Sequence, residues 1–276
     1  MSLLRQSVFL LLLFTQPVWA EVFIVASETS PVLERLAAAL KVHTPTEVTV
    51  SLFTGGIPGK ADDHYFLVGE DVIRAWPEGT AAVAVLTSRS AIEANRSHLV
   101  GAVYLEPPLA RQYSLVRYMF GDARTSLIYT QDVLPWAWPE LSALEEQGVR
   151  LVRYQPGQSL NYALKDALRG SDVLLGISDS GVYNPQSIKN ILISAYRQNI
   201  PLVGPARAYI RAGAIASTYS SLDDIARRMA DMLKPGQFQE FSYNPYFSVA
   251  FNEQVARSLN VMLPETEMEV VSELKK

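Results

Sequence analysis

The chain has 276 residues, and 49% of them are hydrophobic. Its 24 basic and 28 acidic residues give a formal net charge of −4 without any run of basic residues, which argues against a nucleic-acid partner. Cysteine is absent from the sequence, which excludes a disulfide framework and a lipid-modified cysteine, so the fold must depend on its hydrophobic core.

The amino-terminal segment has the pattern of a cleaved signal peptide. Arg5 supplies a positive charge, the apolar run 8–14 follows it, and Val18 and Ala20 occupy the positions that precede a cleavage site. This run is too short to cross a bilayer, and no later stretch reaches the roughly 18 apolar residues that a membrane helix requires. We therefore predict that residues 1–20 are removed on export, that the mature chain has no membrane insertion, and that it is periplasmic.

Short β-rich runs alternate with amphipathic stretches in the first half of the chain. Ser30 is a suitable N-cap and Pro31 suits a first helical turn, after which apolar residues recur at helical spacing. The predicted strands are 22–26, 48–52, 66–68, 81–86 and 100–105, with helices after residue 30 and near 72–76 and 91–95. This alternation predicts a parallel sheet that helices cover on both faces.

A second series of the same kind begins after Glu106-Pro107-Pro108. Its predicted strands are 126–129, 149–152, 173–175, 201–203, 214–217 and 247–251, and its predicted helices are 109–120, 138–147, 160–168, 185–198, 222–233 and 252–259. The acidic segment beyond Pro264 is predicted to be frayed.

The two series predict an α/β protein with two Rossmann-like lobes, each with a parallel sheet, joined by a hinge. We assign residues 21–106 to a short N-terminal lobe, 107–245 to a C-terminal lobe, and 246–276 to a final strand, helix and tail. The loops that follow parallel strands meet at one edge of a sheet, and open α/β folds bind small molecules there. We therefore expect a ligand site at these loops.

The loop after strand 173–175 carries the polar sequence Ser178-Asp179-Ser180, followed by Tyr183. We predict that Asp179 accepts a hydrogen bond from a ligand, that the two serines are neutral hydrogen-bond partners, and that Tyr183 forms a wall of the site. Arg207, in the loop after the next strand, is predicted to hold a ligand carboxylate with its forked guanidinium. A structural turn and a solvated surface charge are the alternative interpretations.

Polar residues also follow other predicted strands. Thr130 and Gln131 come after strand 126–129, and Ser27 and Ser88 come after strands of the first lobe. We predict that Thr130 and Gln131 form hydrogen bonds to the ligand and that the two serines close over it from the first lobe. Their position at strand ends, rather than a motif, makes them candidates.

Three local patterns resemble catalytic or metal motifs but lack residues that the chemistry requires. Segment 176–181 has no glycine two residues after Ser178, and all three histidines precede that serine, which disfavours a serine hydrolase. Segment 54–61 lacks the first glycine and the Mg²⁺-binding hydroxyl of a phosphate loop. Asp62-Asp63-His64 is typical of a solvated turn. We predict no metal, no cofactor and no catalytic residue, with a weak hydrolase using Ser178 as a minor alternative.

An ordered series of segments between Leu109 and Pro264 carries a family resemblance. The segments are ARQYSLVRYMFGDARTSLIYT, SDVLLGISDSGVYN, NIPLVG, RAGAIASTY, DMLKPG and FNEQVARSLNVMLP. Together they resemble the substrate-binding proteins of ABC transporters, in the family linked to aromatic amino acid uptake. The resemblance implies a type I periplasmic-binding fold with a shortened first lobe, and a ligand that is held between the lobes without being transformed.

This resemblance leads us to expect a protein that captures a small, amino acid-like molecule for an ABC permease. The shortened first lobe leaves a second interpretation open, in which the chain senses a ligand or binds a partner for a membrane signalling protein. A small-molecule ligand and a membrane protein are therefore the expected partners, and no enzymatic activity is expected.

Overall fold

Two separate β-sheets organise the residues that the computed structural model describes, which are 20–60, 62–155 and 157–275. Each sheet has six strands, and the sheets define a first and a second lobe, as predicted. The predicted signal peptide lies outside the described residues, apart from Ala20. Within the described residues, every helix is too short or too polar to span a membrane.

The first sheet is wholly parallel, and its central strands are buried. Its strands are β1 (Val22–Ala26), β2 (Val48–Leu52), β3 (His64–Val68), β4 (Ala82–Val85), β5 (Gly101–Tyr104) and β11 (Phe241–Tyr243), in the order β11-β5-β4-β3-β1-β2. The helices of this lobe are α1 (Pro31–His43), α2 (Glu70–Ala75), α3 (Arg89–Ala94) and α9 (Leu222–Met232), with a 3₁₀ turn at Arg96–His98. Hydrophobic clusters lie on both faces of the sheet, which explains its continuous apolar strands. The predicted N-cap is confirmed, since Ser30 Oγ accepts a hydrogen bond from Leu33 N.

The second sheet has one antiparallel edge strand. Its strands are β6 (Thr125–Thr130), β7 (Arg150–Tyr154), β8 (Val173–Leu175), β9 (Leu202–Val203), β10 (Ala216–Tyr219) and β12 (Ser248–Phe251), in the order β12-β10-β9-β8-β6-β7, and only β12 runs antiparallel to its neighbour among these described strands. The helices are α4 (Leu109–Phe120), α5 (Leu134–Glu146), α6 (Leu160–Leu168), α7 (Ile188–Tyr196), α8 (Ala208–Ala212), α10 (Glu253–Ser258) and α11 (Glu267–Glu273), with a 3₁₀ turn at Gln131–Val133. A single hydrophobic core joins these elements.

The chain crosses between the lobes at residues 105–108, 220–221 and 244–247. Between the second and third crossovers it returns to the first lobe, where α9 packs against α1 and β11 extends the sheet beside β5. The predicted assignment of residues up to 245 to the second lobe is therefore wrong for this returning segment. Strand–helix order in sequence does not reveal which sheet a helix covers, and β11 is too short to be recognised from its pattern.

Polar contacts fix the returning segment to the first lobe. Buried Arg228 on α9 donates hydrogen bonds to Glu240 Oε2 at 2.5 Å and to Ser242 Oγ at 2.8 Å. At the other end of α9, Asp223 Oδ1 lies 2.9 Å from His43 Nε2 on α1. Helix α9 is thus held both to its neighbouring helix and to the strand that follows it.

Gly101 lets the returning segment approach the edge of the first sheet. A Cβ at this position would lie 2.7 Å from Glu240 O, 2.8 Å from Phe238 O and 2.9 Å from Glu240 N. Because all three contacts are with backbone, Gly101→Ala must push the segment away, and we expect a loss of about 1–3 kcal/mol in the free energy of unfolding. Chemical denaturation measures this loss. Gly56→Ala is the control, since a Cβ there meets nothing within 4 Å; equal stability of the two variants would contradict the prediction.

The carboxyl-terminal segment is ordered rather than frayed, contrary to the prediction. Helix α11 begins after Thr266, whose Oγ1 accepts a hydrogen bond from Glu269 N at 3.2 Å. Val270 is completely buried, and the helix contacts β12 at the edge of the second sheet. One buried valine in an acidic stretch is a weak sequence signal. The acidic composition therefore predicts an unpacked tail, although the helix packs on the second lobe.

Candidate functional site

The carboxyl ends of parallel strands from both sheets meet between the lobes. Glu106 follows β5 of the first lobe, while Ser178 and Pro205 follow β8 and β9 of the second. These residues line one cavity, to which α4 and α5 contribute Leu109 and Trp136. The free space inside is about 20 Å³, which is room for about one water molecule. The interlobe cavity is therefore nearly filled by the protein's own side chains.

Arg89 joins the first lobe to the second beside this cavity. It begins α3, and its guanidinium donates hydrogen bonds to Glu140 Oε1 on α5 and to the Tyr243 hydroxyl on β11. The Tyr243 hydroxyl donates to the same Glu140 oxygen. The side chains of Arg89 and Glu140 are 14% and 20% exposed, so solvent ions screen this pair little. We refer to Arg89, Glu140 and Tyr243 as the Arg89 bridge.

Backbone hydrogen bonds connect the Arg89 bridge to the first crossover. The second carboxylate oxygen of Glu140, Oε2, accepts a hydrogen bond from Leu109 N at 2.8 Å. On the other side, Arg89 N donates to Glu106 Oε2 at 2.9 Å. One bond ends at Glu106 within crossover 105–108 and the other at Leu109 directly after it, so we expect a change in the angle between the lobes to disturb the bridge.

Three aromatic rings surround the Arg89 guanidinium. Its Cζ lies 4.8 Å from the ring centroid of Tyr104, 5.2 Å from that of Trp136 and 5.1 Å from that of Tyr243. These distances are within the range of cation–π attraction. Such an arrangement is typical of sites that hold an organic cation, and here the chain's own guanidinium fills it.

Two buried donors beside the cavity have no hydrogen-bond partner among the described residues. They are Arg89 Nε and Trp136 Nε1. The Glu93 carboxylate is 3.8 Å from Arg89 Nε, which is too far for a hydrogen bond. An unsatisfied buried donor costs about 1–3 kcal/mol. A small molecule with acceptor oxygens would therefore gain from binding here.

Glu106 gives the interlobe site a dependence on pH. Burial raises the pKa of its carboxyl, although the hydrogen bond from Arg89 N and the charge of Arg89 act in the opposite direction. A carboxyl whose pKa is raised in the folded state favours folding when protonated, and this contribution is lost as the pH rises through the folded-state pKa. Ionisation of Glu106 therefore lowers the free energy of unfolding relative to the protonated form.

The variant Glu106→Gln cannot ionise and keeps an acceptor oxygen for Arg89 N. We expect its melting temperature to exceed that of the wild type modestly at about pH 7 and to approach it at about pH 4. Thermal unfolding across this range is the measurement, with the exposed Glu78→Gln as the control. A difference between Glu106→Gln and wild type that stays constant with pH would contradict the prediction.

A second interlobe space, which we call the crossover groove, lies beside crossover 220–221. Its walls include Arg35 and Leu222 of the first lobe, Arg207 and Tyr219 of the second, and Leu105 of the first crossover. It encloses about 640 Å³, which is within the usual size range of small-molecule sites. Unlike the cavity beside Arg89, it has room for a solute.

Asp179, the central residue of the predicted site, is buried inside the second lobe and only 3% exposed. Its Oδ2 accepts a hydrogen bond from Thr130 N at 2.5 Å, and its Oδ1 accepts from Thr130 Oγ1 at 3.1 Å and from Gly181 N at 2.9 Å. These bonds fasten the loop after β8 to the end of β6. The structure thus brings Asp179 and Thr130 together, and their polar groups form hydrogen bonds with each other.

The neighbours of Asp179 differ in their positions. Tyr183 is buried in the core of the second lobe, where burial raises the pKa of its hydroxyl, and that hydroxyl donates to Leu175 O at 3.4 Å. Ser178 is half-buried and lines the cavity beside Arg89. Ser180 is exposed, and its backbone oxygen accepts a hydrogen bond from Asn184 Nδ2 at 2.8 Å. Of the four residues predicted in this loop, Ser178 is the one that lines the cavity beside Arg89.

The remaining predicted residues are spread over both lobes. Ser88 caps α3, its Oγ accepting a hydrogen bond from Ala91 N at 3.4 Å, and it directly precedes Arg89. Ser27 is exposed after β1, and exposed Gln131 accepts a hydrogen bond from Arg153. Arg207 lines the crossover groove, as stated above. Ligand contact by these residues stays a prediction, and the geometry favours Arg207 among them.

The described residues bring no histidine to Ser178. His43 contacts Asp223, His64 stacks on Phe238 with ring centroids 4.8 Å apart, and His98 belongs to a 3₁₀ turn of the first lobe. None of the three lines the cavity that Ser178 lines. The same residues contain no group of three or more side chains suited to a metal ion. We therefore find no arrangement around Ser178 that supports hydrolysis.

Sequence reasoning missed Glu140, Tyr243 and Glu106 as site residues. Glu140 lies within a helix and Tyr243 within a strand that was not predicted, so neither stands in a loop after a recognised strand. Glu106 was used only as a boundary between the lobes. The sequence signal for this site is the Ser88-Arg89 pair after β4, because the arginine next to the predicted Ser88 forms the contact across the lobes.

Comparison with known proteins finds solved structures that share this fold. No protein-family model and no curated protein sequence matches the chain. A conserved domain protein from Vibrio cholerae is 16% identical, with a TM-score of 0.59 and coverage of 92% of this chain and 97% of that one. A substrate-binding protein with adhesive properties from Clostridium difficile, in its ligand-free, open structure, is 14% identical, with a TM-score of 0.67 and coverage of 90% and 97%.

A third similar structure is described as an ABC domain in complex with L-Trp from Streptococcus pneumoniae. It is 12% identical to this chain, with a TM-score of 0.56 and coverage of 91% of this chain and 97% of that one. At such low identity these likenesses establish a shared fold and nothing finer. They agree with the predicted two-lobed, type I periplasmic-binding architecture.

Proposed function

We propose that this chain is an exported, periplasmic solute-binding protein that holds a small, amino acid-like molecule between its lobes for an ABC permease. The observation that carries the proposal is the interlobe site, where residues from both lobes and from a crossover meet at the carboxyl ends of parallel strands. Open α/β folds bind ligands at such places. The Clostridium substrate-binding protein and the Streptococcus domain in complex with L-Trp, which share this fold, support the same class of function.

The proposed binding mode uses the groups that the protein leaves unsatisfied. A ligand carboxylate accepts hydrogen bonds from Arg89 Nε and Trp136 Nε1, the two donors that have no partner within the protein's described residues. Ser178 contributes a neutral hydrogen-bond partner from the opposite wall. The lobes move at the crossovers to admit the ligand and close over it. The ligand is bound and released without a chemical step.

Titration calorimetry with each common amino acid tests this proposal, beginning with L-tryptophan. We expect dissociation constants in the micromolar range for at least one of them, and loss of that binding in Trp136→Leu. The exposed Trp138→Leu is the matched control. Native mass spectrometry of the protein as purified is the companion measurement. The absence of both a co-purified molecule and a binding heat with any amino acid would contradict the proposal.

A second function is favoured by the Arg89 bridge itself. Because the bridge fills the interlobe site with the protein's own side chains, the lobes can be held together without a ligand. Such a chain suits a partner-binding subunit of a membrane signalling protein. Affinity capture from bacterial membranes separates the two functions: a permease subunit supports transport, and the extracellular domain of a sensor supports signalling.

A further inference from the structure

The crossover groove is a built space that the proposed amino acid site does not use. It lies between the lobes beside crossover 220–221, on different residues from those around Arg89. Pro107 is the residue that the two spaces share, because the first crossover runs between them. The walls of the crossover groove come from both lobes, so a molecule bound in the groove would contact both lobes at once.

The floor of the groove is apolar. Leu105 is 45% exposed there, and Leu86 and Leu222 extend the same surface. Leu86 has a φ of 52°, a conformation that non-glycine residues rarely adopt. Strained residues tend to occur at ligand-binding and switch positions. Exposed Leu105 and strained Leu86 together indicate that burying this apolar floor under a ligand would be favourable.

The serine and threonine hydroxyls of the groove already form hydrogen bonds within the protein. Ser220 Oγ donates to Tyr246 O at 2.9 Å, Ser221 Oγ takes part in the cap of α9, and Thr218 Oγ1 donates to Gln112 Oε1 at 3.1 Å. The carboxylate of Asp223 is paired with His43. These groups therefore do not determine which ligand enters.

The guanidinium groups of Arg35 and Arg207 lie at the rim of the crossover groove. Among the described residues, neither Arg35 nor Arg207 forms an ion pair: Arg35 Nε donates only to Pro31 O at 3.3 Å, and the Arg207 guanidinium lies 4.6 Å from the Tyr219 ring centroid. Both side chains are exposed and come from opposite lobes. Two unpaired guanidinium groups suit a carboxylate, sulfate or phosphate, since each offers parallel N–H donors.

We propose that the crossover groove binds amphiphilic anions, which are molecules with an apolar body and one anionic head. The apolar body covers Leu86, Leu105 and Leu222, and the head lies between Arg35 and Arg207. This site is distinct from the amino acid site beside Arg89. The proposal for the crossover groove does not depend on whether the site beside Arg89 binds a solute. Because Arg35 and Arg207 belong to different lobes, occupancy of the groove also draws the lobes together.

Titration calorimetry with decanoate, below its micelle-forming concentration, tests the proposal. We expect decanoate to bind, and acetate and the neutral detergent octyl glucoside each to bind at least about tenfold more weakly, because they lack the apolar body and the charge respectively. Arg35→Gln and Arg207→Gln should each weaken decanoate binding about tenfold. Added salt should weaken binding to the wild type.

Arg211→Gln is the matched control, since Arg211 is an exposed arginine of α8 that does not line the groove. Leu105→Asp tests the floor and should abolish decanoate binding without touching either arginine. Equal decanoate affinity in wild type, Arg35→Gln and Arg207→Gln would overturn the proposal, as would equal binding of octyl glucoside or no binding of decanoate at all. Amino acid binding measured on the same samples reports separately on the site beside Arg89.

Discussion

Arg89→Ala is expected to separate the two lobes in solution while each lobe stays folded. The substitution removes the ion pair with Glu140, the hydrogen bond to Tyr243 and the contacts with three aromatic rings. It also leaves the mostly buried Glu140 carboxylate without its cation. Breaking a buried pair by removing one partner costs about 3–5 kcal/mol, and the partial exposure of this pair places the expected loss near the lower end.

Small-angle X-ray scattering measures the expected opening as a larger radius of gyration, and circular dichroism should show unchanged secondary structure. Each lobe has its own hydrophobic core, which is why opening rather than unfolding is the expected result. Tyr243→Phe keeps the aromatic ring and removes only the hydroxyl, so it should open the lobes less. Arg74→Ala is the control, because the Arg74–Glu70 pair is exposed and lies within one helix. A radius of gyration of Arg89→Ala that matches the wild type would show that the bridge does not hold the lobes.

Asp179→Ala is expected to destabilise the second lobe by about 3–5 kcal/mol, since it removes three hydrogen bonds to a charged acceptor and leaves buried donors unsatisfied. Thr130 N is the most affected donor, because it lies at the end of β6 and loses its acceptor at 2.5 Å. The loss should appear whether or not a ligand is present, which distinguishes this structural role from the predicted ligand contact.

Chemical denaturation followed by circular dichroism gives the size of this loss. The neighbouring Ser180→Ala is the matched control and should change stability by less than about 0.5 kcal/mol, because Ser180 is exposed. Thr130→Val keeps the backbone N–H and should fall between the two. If Asp179→Ala proved as stable as Ser180→Ala but no longer bound its solute, the original prediction of a ligand contact would be the correct one.

The two-lobed α/β fold could be predicted from sequence because its signal is local. Strand β8, for example, is a short apolar run that ends at a polar loop, and the helix that follows has its own apolar spacing. Repetition of this unit predicts parallel sheets without knowledge of long-range contacts. What the local signal could not reveal was that α9 and β11 return to the first lobe, since this depends on contacts with residues more than a hundred positions away, such as those of α9 with α1.

The candidate site was predictable in its place but not in its chemistry. Ser178 and Arg207 stand at strand ends and do line interlobe spaces. Asp179 also stands after the end of a strand, yet its side chain points inward and accepts hydrogen bonds from Thr130 N and Gly181 N. A carboxylate in a tight loop can accept hydrogen bonds from backbone N–H groups as readily as from a ligand. The sequence pattern shows which residues stand at the rim, and only the packed structure shows the direction of each side chain.

The three crossovers have a consequence for the order in which the polypeptide can mature. Neither sheet contains its full complement of strands until the final part of the chain is available, because β11 completes one and β12 the other. Until residues 241–251 arrive, each sheet has five of its six strands, and β5 and β10 are edge strands open to pairing with other chains. A nascent polypeptide of this topology therefore cannot complete either sheet before the end of the chain is available. If the chain is exported as proposed, it crosses the membrane before either sheet is complete.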